Sequence, residues 1–309
     1  MRTFFILFLC LKFSNSIAQL QWRNVDDLYQ PLPKSIHLYY TDQPIDTGKF
    51  RAYYLIADLH DKQLDFTVDT SRDRRLIPDE FYKRNGEPLV VVNTTFFSYG
   101  TNHSLNAVIK DGELVAYNIH TVYGRGKDTF TYRHPFSSAI GISKKRTADV
   151  AWVYTDSTNM SIRNIVSISN PAKDSNYSFH PDISNFQKWK MQTAVGGGPV
   201  LLQDGMIRIT NEEELKFAGK AIHDKHPRTA MGYTADGKII ILMVEGRNKN
   251  AGGATLTQMA QIFKDLGCKE AINLDGGGSS CMLVNGKKTI RPSDLVERPV
   301  PAVFIIKKK

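Results

Sequence analysis

Residues 255–280 read TLTQMAQIFKDLGCKEAINLDGGGSS, a stretch that encodes a helix, a strand and a glycine loop in that order. Thr255 and Gln258 have capping-box spacing, in which each side chain bonds the other's backbone N–H. Leu256, Met259, Ala260, Phe263 and Leu266 follow along one helical face before Gly267 closes the end. The apolar run around Ile272 then reads as a short strand buried on both faces. Side chains alternate along a strand, so Asn273 and Asp275 leave the core together while Ile272 and Leu274 stay in it.

Two further runs have the same character, Leu89 to Val92 and Ile239 to Val244, and they end at Asn93 and Glu245. Between apolar runs stand Asp111-Gly112, Asp204-Gly205, Asp236-Gly237 and Asn285-Gly286. These dipeptides supply the positive φ of tight turns and predict four antiparallel hairpins. A helix leading into a strand, beside many hairpins, predicts an α+β fold: a mixed, hairpin-rich, twisted β-sheet with covering helices. The polar, proline-interrupted stretch from Trp22 to Pro44 predicts an N-terminal arm over 19–49, ahead of one large domain over 50–309 that includes an elaboration from about His120 to Trp189.

The start of the chain places Arg2 before an apolar run from Phe4 to Leu11, then Ser16-Ile17-Ala18. This is the pattern of a secretory signal over 1–18, cut after Ala18, and implies a secreted or periplasmic protein. The bulky Leu9 before Cys10 argues against a lipoprotein. Over 309 residues the net charge is +9, which suits an anionic ligand or an envelope surface. The basic residues are dispersed and lack a nucleic-acid-binding signature, which disfavours DNA or RNA. Removal of the signal leaves two cysteines, Cys268 and Cys281, with no zinc-type spacing; neither a metal nor another cofactor is expected.

Five segments carry candidate chemistry. In Asn273-Leu274-Asp275-Gly276-Gly277-Gly278-Ser279-Ser280, three glycines expose backbone amides to a ligand, as anion-binding turns do; the plain alternative is a turn capped by Asp275. The bare backbone at Gly196-Gly197-Gly198-Pro199 is either a structural bend or a ligand-facing loop, and neither glycine stretch has the spacing of a nucleotide-binding signature. His226-Pro227-Arg228-Thr229-Ala230 and Glu245-Gly246-Arg247 each present an arginine, whose planar fork matches phosphate oxygens, although lone arginines more often form surface ion pairs. Asn93-Thr94-Thr95-Phe96-Phe97 ends a strand in aromatics that are core anchors or a sugar platform.

In this order the five segments resemble the phosphodiester glycosidase family, over roughly Phe50 to Ile306. The resemblance implies hydrolysis of a sugar-1-phosphodiester, with an N-acetylglucosamine-like sugar as one option, by cleavage of the anomeric C–O bond. It also implies that Arg228 and Arg247 clamp phosphate, and that Glu245 and Asp275 support an oxocarbenium-like carbon and activate water. His226 becomes a secondary candidate for proton transfer or phosphate binding, and Asn93, Gly197, Gly198, Thr229, Asn273, Gly276, Gly277, Gly278 and Ser279 become candidate substrate-binding positions. Two rival readings stay open: a phosphodiesterase cutting P–O, and a non-catalytic module binding envelope glycans or anionic polymers. A serine hydrolase is disfavoured because Gly277-Gly278-Ser279-Ser280-Cys281 departs from G-x-S-x-G.

Overall fold

The computed structural model describes residues 19–309 apart from 125, 166 and 179; the expected signal over 1–18 lies outside the described residues. The architecture is mostly β. Eight strands form one sheet in the order Arg23–Asn24, Ile36–Thr41, Ala52–Asp58, Lys238–Val244, Arg228–Thr234, Cys268–Asn273, Val200–Gln203, Met206–Ile207. A five-stranded sheet runs Lys287–Lys288, Met282–Val284, Val90–Asn93, Ala302–Lys308, Leu64–Thr70. The elaboration expected after His120 supplies much of a seven-stranded sheet centred on Ser137–Ile142 and all of a small three-stranded one.

All three larger sheets contribute to one central core. Ile241 and Met243 meet Val90, Val92 and Phe304 there, with Ile140 and Val195 from the seven-stranded sheet. The alternate residues Ile240, Leu242 and Val244 face outward into a second core, closed by Leu256, Met259, Ala260 and Phe263 of helix Leu256–Asp265. Val91 likewise packs outward with Phe81 of helix Pro78–Arg84. Each continuous apolar run is therefore buried on both faces, as its sequence predicts.

Several expectations are corrected. The strand pairings among the described residues are all antiparallel, so the sheet is not mixed in direction. Stacked sheets and a helix bury both faces here, a job that crossover helices do in parallel sheets. The α-helices among the described residues are three short ones, of 7, 4 and 10 residues, and do not form a covering layer. The expected arm is part of the core at Ile36–Thr41, where Ile36 and Leu38 are fully buried and the strand pairs with Ala52–Asp58. Proline interrupts its flanks and leaves its alternating apolar face intact.

The turn chemistry behaves as predicted. All four dipeptides close antiparallel hairpins, with Asp111 at φ 54° and Gly112 at φ 86°, and the same left-handed pair at Asp204-Gly205 and Asn285-Gly286. The Thr255 hydroxyl accepts from the Gln258 N–H at 3.1 Å while Gln258 Oε1 accepts from the Thr255 N–H at 2.9 Å. No helix among the described residues is long and apolar enough to cross a membrane.

The five- and eight-stranded sheets are tied together at Asn93, which is fully buried. Its Oδ1 accepts from the Thr229 hydroxyl at 2.8 Å and from the Cys281 N–H at 3.0 Å, and its Nδ2 donates to the Asp275 carbonyl at 2.7 Å. Asn93→Ala strands two buried donors, so a loss of roughly 3 kcal/mol in unfolding free energy is expected. A lowered urea midpoint at unchanged slope would show it; a midpoint indistinguishable from the parent would refute the staple.

Candidate active site

Register places the site. The Arg228–Thr234 strand is antiparallel to both neighbours, with Arg228 opposite Val244 and Ala230 opposite Asn273. Its first residue therefore lies beside the last residues of the strands on either side. His226-Pro227-Arg228, Glu245-Gly246-Arg247 and Asp275-Gly276-Gly277 all emerge at that one sheet end, joined by Asn93 from the second sheet.

The three loops touch. The Gly277 N–H donates to the Pro227 carbonyl at 2.8 Å, and Gly276 packs on the same carbonyl. Gly277 has φ 61°, and a Cβ there would stand 3.1 Å from Arg247 Nη1, so a bare residue lets the guanidinium lie on the loop. Arg247 Nη2 donates to His226 Nδ1 at 3.2 Å. Arginine can only donate, so Nδ1 accepts and the His226 proton sits on Nε2. Burial, then the charges of Arg228 and Arg247, depress the His226 pKa and keep the ring neutral.

Arg228 is 3% exposed. Its Nε donates to the Ala254 carbonyl at 3.1 Å and its Nη2 to those of Asp224 at 3.2 Å and Ala221 at 3.4 Å, with the guanidinium 5.4 Å from the Phe217 ring centroid. Among the described residues no carboxylate lies within ion-pair distance of it. Burial and the Arg247 charge lower its pKa to about 10, which leaves it cationic at neutral pH. A buried cation with no ion pair, supported only by the more distant charge of Asp224 and set beside a second cation, is an arrangement suited to receiving an anion.

Asp275 is held by its backbone, the N–H donating to the Thr94 carbonyl at 2.8 Å. Burial raises its carboxyl pKa to about 7, against the pull of the Ser279 hydroxyl, the Arg298 charge and the Gly276 N–H. Ser279 Oγ polarises the carboxyl without reaching hydrogen-bonding geometry. It and Ser280 Oγ, Thr95 Oγ1 and Asn273 Oδ1 are buried with no hydrogen-bond partner among the described residues. Buried polar atoms are ordinarily satisfied, so these four, in the glycine loop and the segments that adjoin it, are exceptions.

Not every expected residue reaches that place. Asn93, Thr229 and Asn273 are fully buried, and Gly197 and Gly198 are buried too; they carry the loops from beneath. The Gly198 N–H donates to the Asn273 carbonyl at 2.7 Å, and Asn273 Nδ2 donates back to the Gly198 carbonyl at 3.0 Å. Gly198 has φ 117°, and a Cβ there would collide with the Glu214 carboxylate. Gly278 packs under the Asp294–Arg298 ion pair, whose Nε–Oδ2 distance is 2.9 Å. Glu245, 3% exposed, accepts from Asn248 Nδ2 at 3.0 Å and from the Arg291 N–H at 3.3 Å, and no hydrogen bond joins it to Asp275. Cavities of about 420 and 390 Å³ lie elsewhere, the first lined by Arg72, Arg74 and His103, the second by Lys144 and Arg146. The site is thus located by converging chemistry and not by cavity size.

Sequence reasoning missed Arg298, Lys216 and Phe217. Arg298 acts on Asp275 by its charge, and Phe217 carries the Arg228 guanidinium. None stands in a motif, and Lys216 is one of 40 basic residues.

Known proteins resemble this chain in sequence and in fold. A prophage-derived protein of Bacillus subtilis, YomE, is 45% identical over 76 residues, covering 25% of this chain and 12% of its own. The N-acetylglucosamine-1-phosphodiester alpha-N-acetylglucosaminidase of Bos taurus is 39% identical over 102 residues, 30% of this chain and 19% of that enzyme. The matched segments thus span under a fifth of these relatives. The zebrafish enzyme's catalytic domain, solved auto-inhibited by its pro-peptide, shares the fold with a TM-score of 0.61 at 19% identity, covering 97% of this chain and 92% of that one. The phosphodiester glycosidase family model matches residues 86–307, and the chain therefore belongs to the phosphodiester glycosidase family.

Proposed function

We propose that this protein, exported by its N-terminal signal, hydrolyses the anomeric C–O bond of a sugar-1-phosphodiester and releases the sugar and a phosphomonoester. The observation that carries the reading is the meeting of His226, Arg228 and Arg247 at the sheet end where the loop that begins with Asp275, a carboxyl of raised proton affinity, packs through Gly277 on Pro227 and Arg247. In the reaction the C–O electron pair leaves with the phosphate oxygen. The departing group gains a second negative charge, which the two guanidiniums stabilise. A phosphomonoester is a weakly basic leaving group and needs little proton donation, consistent with a neutral His226 that orients Arg247.

Water supplies the hydroxyl that ends on the anomeric carbon, and its proton passes to a carboxylate. Asp275, at the loop itself, supports the positive charge on that carbon in its ionised form. Glu245 is the second carboxylate at this sheet end, oriented by Asn248 and Arg291, and prepares the water. Hydrolysis of sugar-1-phosphodiesters in isotopically labelled water tests the reading: label in the released sugar supports it, whereas label in the phosphate would replace it with P–O cleavage. Absence of turnover across a panel of sugars and aglycones, with binding retained, would favour a glycan-binding module.

Asp275→Asn should abolish turnover while the protein stays folded. The sign of the accompanying stability change follows from linkage. Between the unfolded value near 3.8 and the folded value of about 7, the native state holds the extra proton, so stability falls as pH rises through that window. The Asn variant should lose this slope, and the wild-type rate should rise with pH through about 7 as Asp275 ionises. Full activity in a folded Asp275→Asn protein would return Asp275 to the role of a turn cap.

Arg228→Lys should lower kcat/KM by about ten- to a hundredfold, the equivalent of one charged hydrogen bond. A compact ammonium cannot hold three carbonyls and present a free edge to phosphate at once. Near-normal kinetics in this variant would remove Arg228 from the phosphate site.

A further inference from the structure

Beside Gly198 lies a second group of residues that the phosphate chemistry leaves unused. Five donors converge on the Glu214 carboxylate: the Ser138 N–H at 2.9 Å and its hydroxyl at 2.8 Å, the Val200 N–H at 2.9 Å, the Thr210 hydroxyl at 2.6 Å and Trp152 Nε1 at 3.2 Å. With both oxygens occupied, Glu214 fixes the turn that follows it and forms no ion pair with Lys216. Leu215 adopts φ 50°, and the turn brings Lys216 against Gly198, whose missing Cβ leaves room for the lysine stem.

Lys216 Nζ donates to the Ser137 hydroxyl at 3.0 Å and stands 5.5 Å from the Phe96 ring centroid. Phe96 meets Phe217 edge to face at 5.9 Å, and Phe217 carries the Arg228 guanidinium at 5.4 Å. Lys216, Phe96 and Phe217 are all partly exposed. The result is an edge-to-face aromatic pair with a cation over each ring: Arg228, which the phosphate reading uses, and Lys216, which it does not. Burial, opposed by Glu214, lowers the lysine pKa to about 8, so the amine still carries its charge at neutral pH. It has one hydrogen bond and three donors, and no carboxylate pairs with it among the described residues.

We propose that Phe96, Phe217 and Lys216 form the subsite for the sugar ring, and that the sugar is acidic, carrying a carboxylate or a second phosphate that Lys216 binds. A pyranose packs its C–H face against the partly exposed phenyl rings, while a neutral sugar would leave the Lys216 ammonium with the Ser137 hydroxyl as its one hydrogen-bond partner. An anionic substituent satisfies it, and the phosphodiester at the anomeric carbon goes to Arg228 at the other end. Phe96, which the sequence left between core anchor and sugar platform, takes the second role. This inference rests on the phosphodiester glycosidase reading above.

The test compares methyl phosphodiesters of glucose, glucuronate and glucose 6-phosphate, each linked through C1. Wild type should favour one of the two acidic sugars over glucose by about tenfold or more in kcat/KM, and which one identifies the substituent. Lys216→Met should reduce that acidic-to-neutral ratio at least tenfold, mainly through KM, with an unchanged melting temperature. Phe217→Leu should weaken acidic and neutral sugars alike and keep the ratio. A wild-type preference for glucose, or an equal loss on all three substrates in Lys216→Met, would overturn the proposal. Calorimetric binding of free glucuronate and glucose 6-phosphate separates it from the parent reading. Acid-selective binding that Lys216→Met abolishes, without turnover of any phosphodiester, keeps the subsite and removes the hydrolase; turnover without charge preference does the reverse.

Discussion

The three hydrogen bonds of the Asn93 side chain are the constraint on which the site depends. A single amide, at the last residue of its strand, ties the five-stranded sheet to Thr229 of the eight-stranded one and to both ends of the glycine loop, at Asp275 and Cys281. An amide suits the position because it both donates and accepts within one rigid plane. A carboxylate could not donate to the Asp275 carbonyl, and an aliphatic residue would leave two donors buried without a partner. The distance between the two sheets at this end, and hence the position of Asp275, is set there.

Around that point the backbone is packed so closely that side chains are excluded where they would ordinarily stand. The missing Cβ of Gly198 admits Glu214 and the stem of Lys216, and that of Gly277 admits Arg247. Glycine is costly in a folded chain because of the freedom it loses. Here the loss is matched by carbonyls and charged groups brought within bonding reach of one another. Two glycine runs far apart in the chain thereby serve one region, through the reciprocal bonds between Gly198 and Asn273.

The electrostatics follow from burial without pairing. Arg247 lies close enough to disfavour the Arg228 charge, and carbonyl oxygens, not a carboxylate, hold Arg228 in place. Neutral dipoles hold the guanidinium without an ion pair, and only the more distant charge of Asp224 opposes those of the two arginines. Asp275 experiences the opposite effect: desolvation outweighs its favourable contacts and holds the carboxyl near neutrality in its pKa. Elsewhere carboxylates and cations meet as ordinary partly exposed ion pairs, such as Lys307 with Asp65, which contribute little.

By itself the sequence determined what depends on near neighbours: the capped helix at Thr255, the four hairpin turns, the strands buried on both faces, and the Asn, Glu and Asp that end them. Those signals are local, because a turn dipeptide or a capping box acts within four residues. The family resemblance was legible for a related reason, since the glycine and arginine motifs are short and contiguous. Tertiary structure alone decided that Ile36–Thr41 is core, because an alternating strand among prolines acquires its meaning only from the sheet it joins. It also decided that Asn93, Thr229 and Asn273 are buried beneath the loops, and that Phe217 stands against Arg228 and Lys216 against Phe96. Burial and the meeting of residues more than a hundred positions apart are properties of how sheets stack, and no stretch of the chain carries them alone.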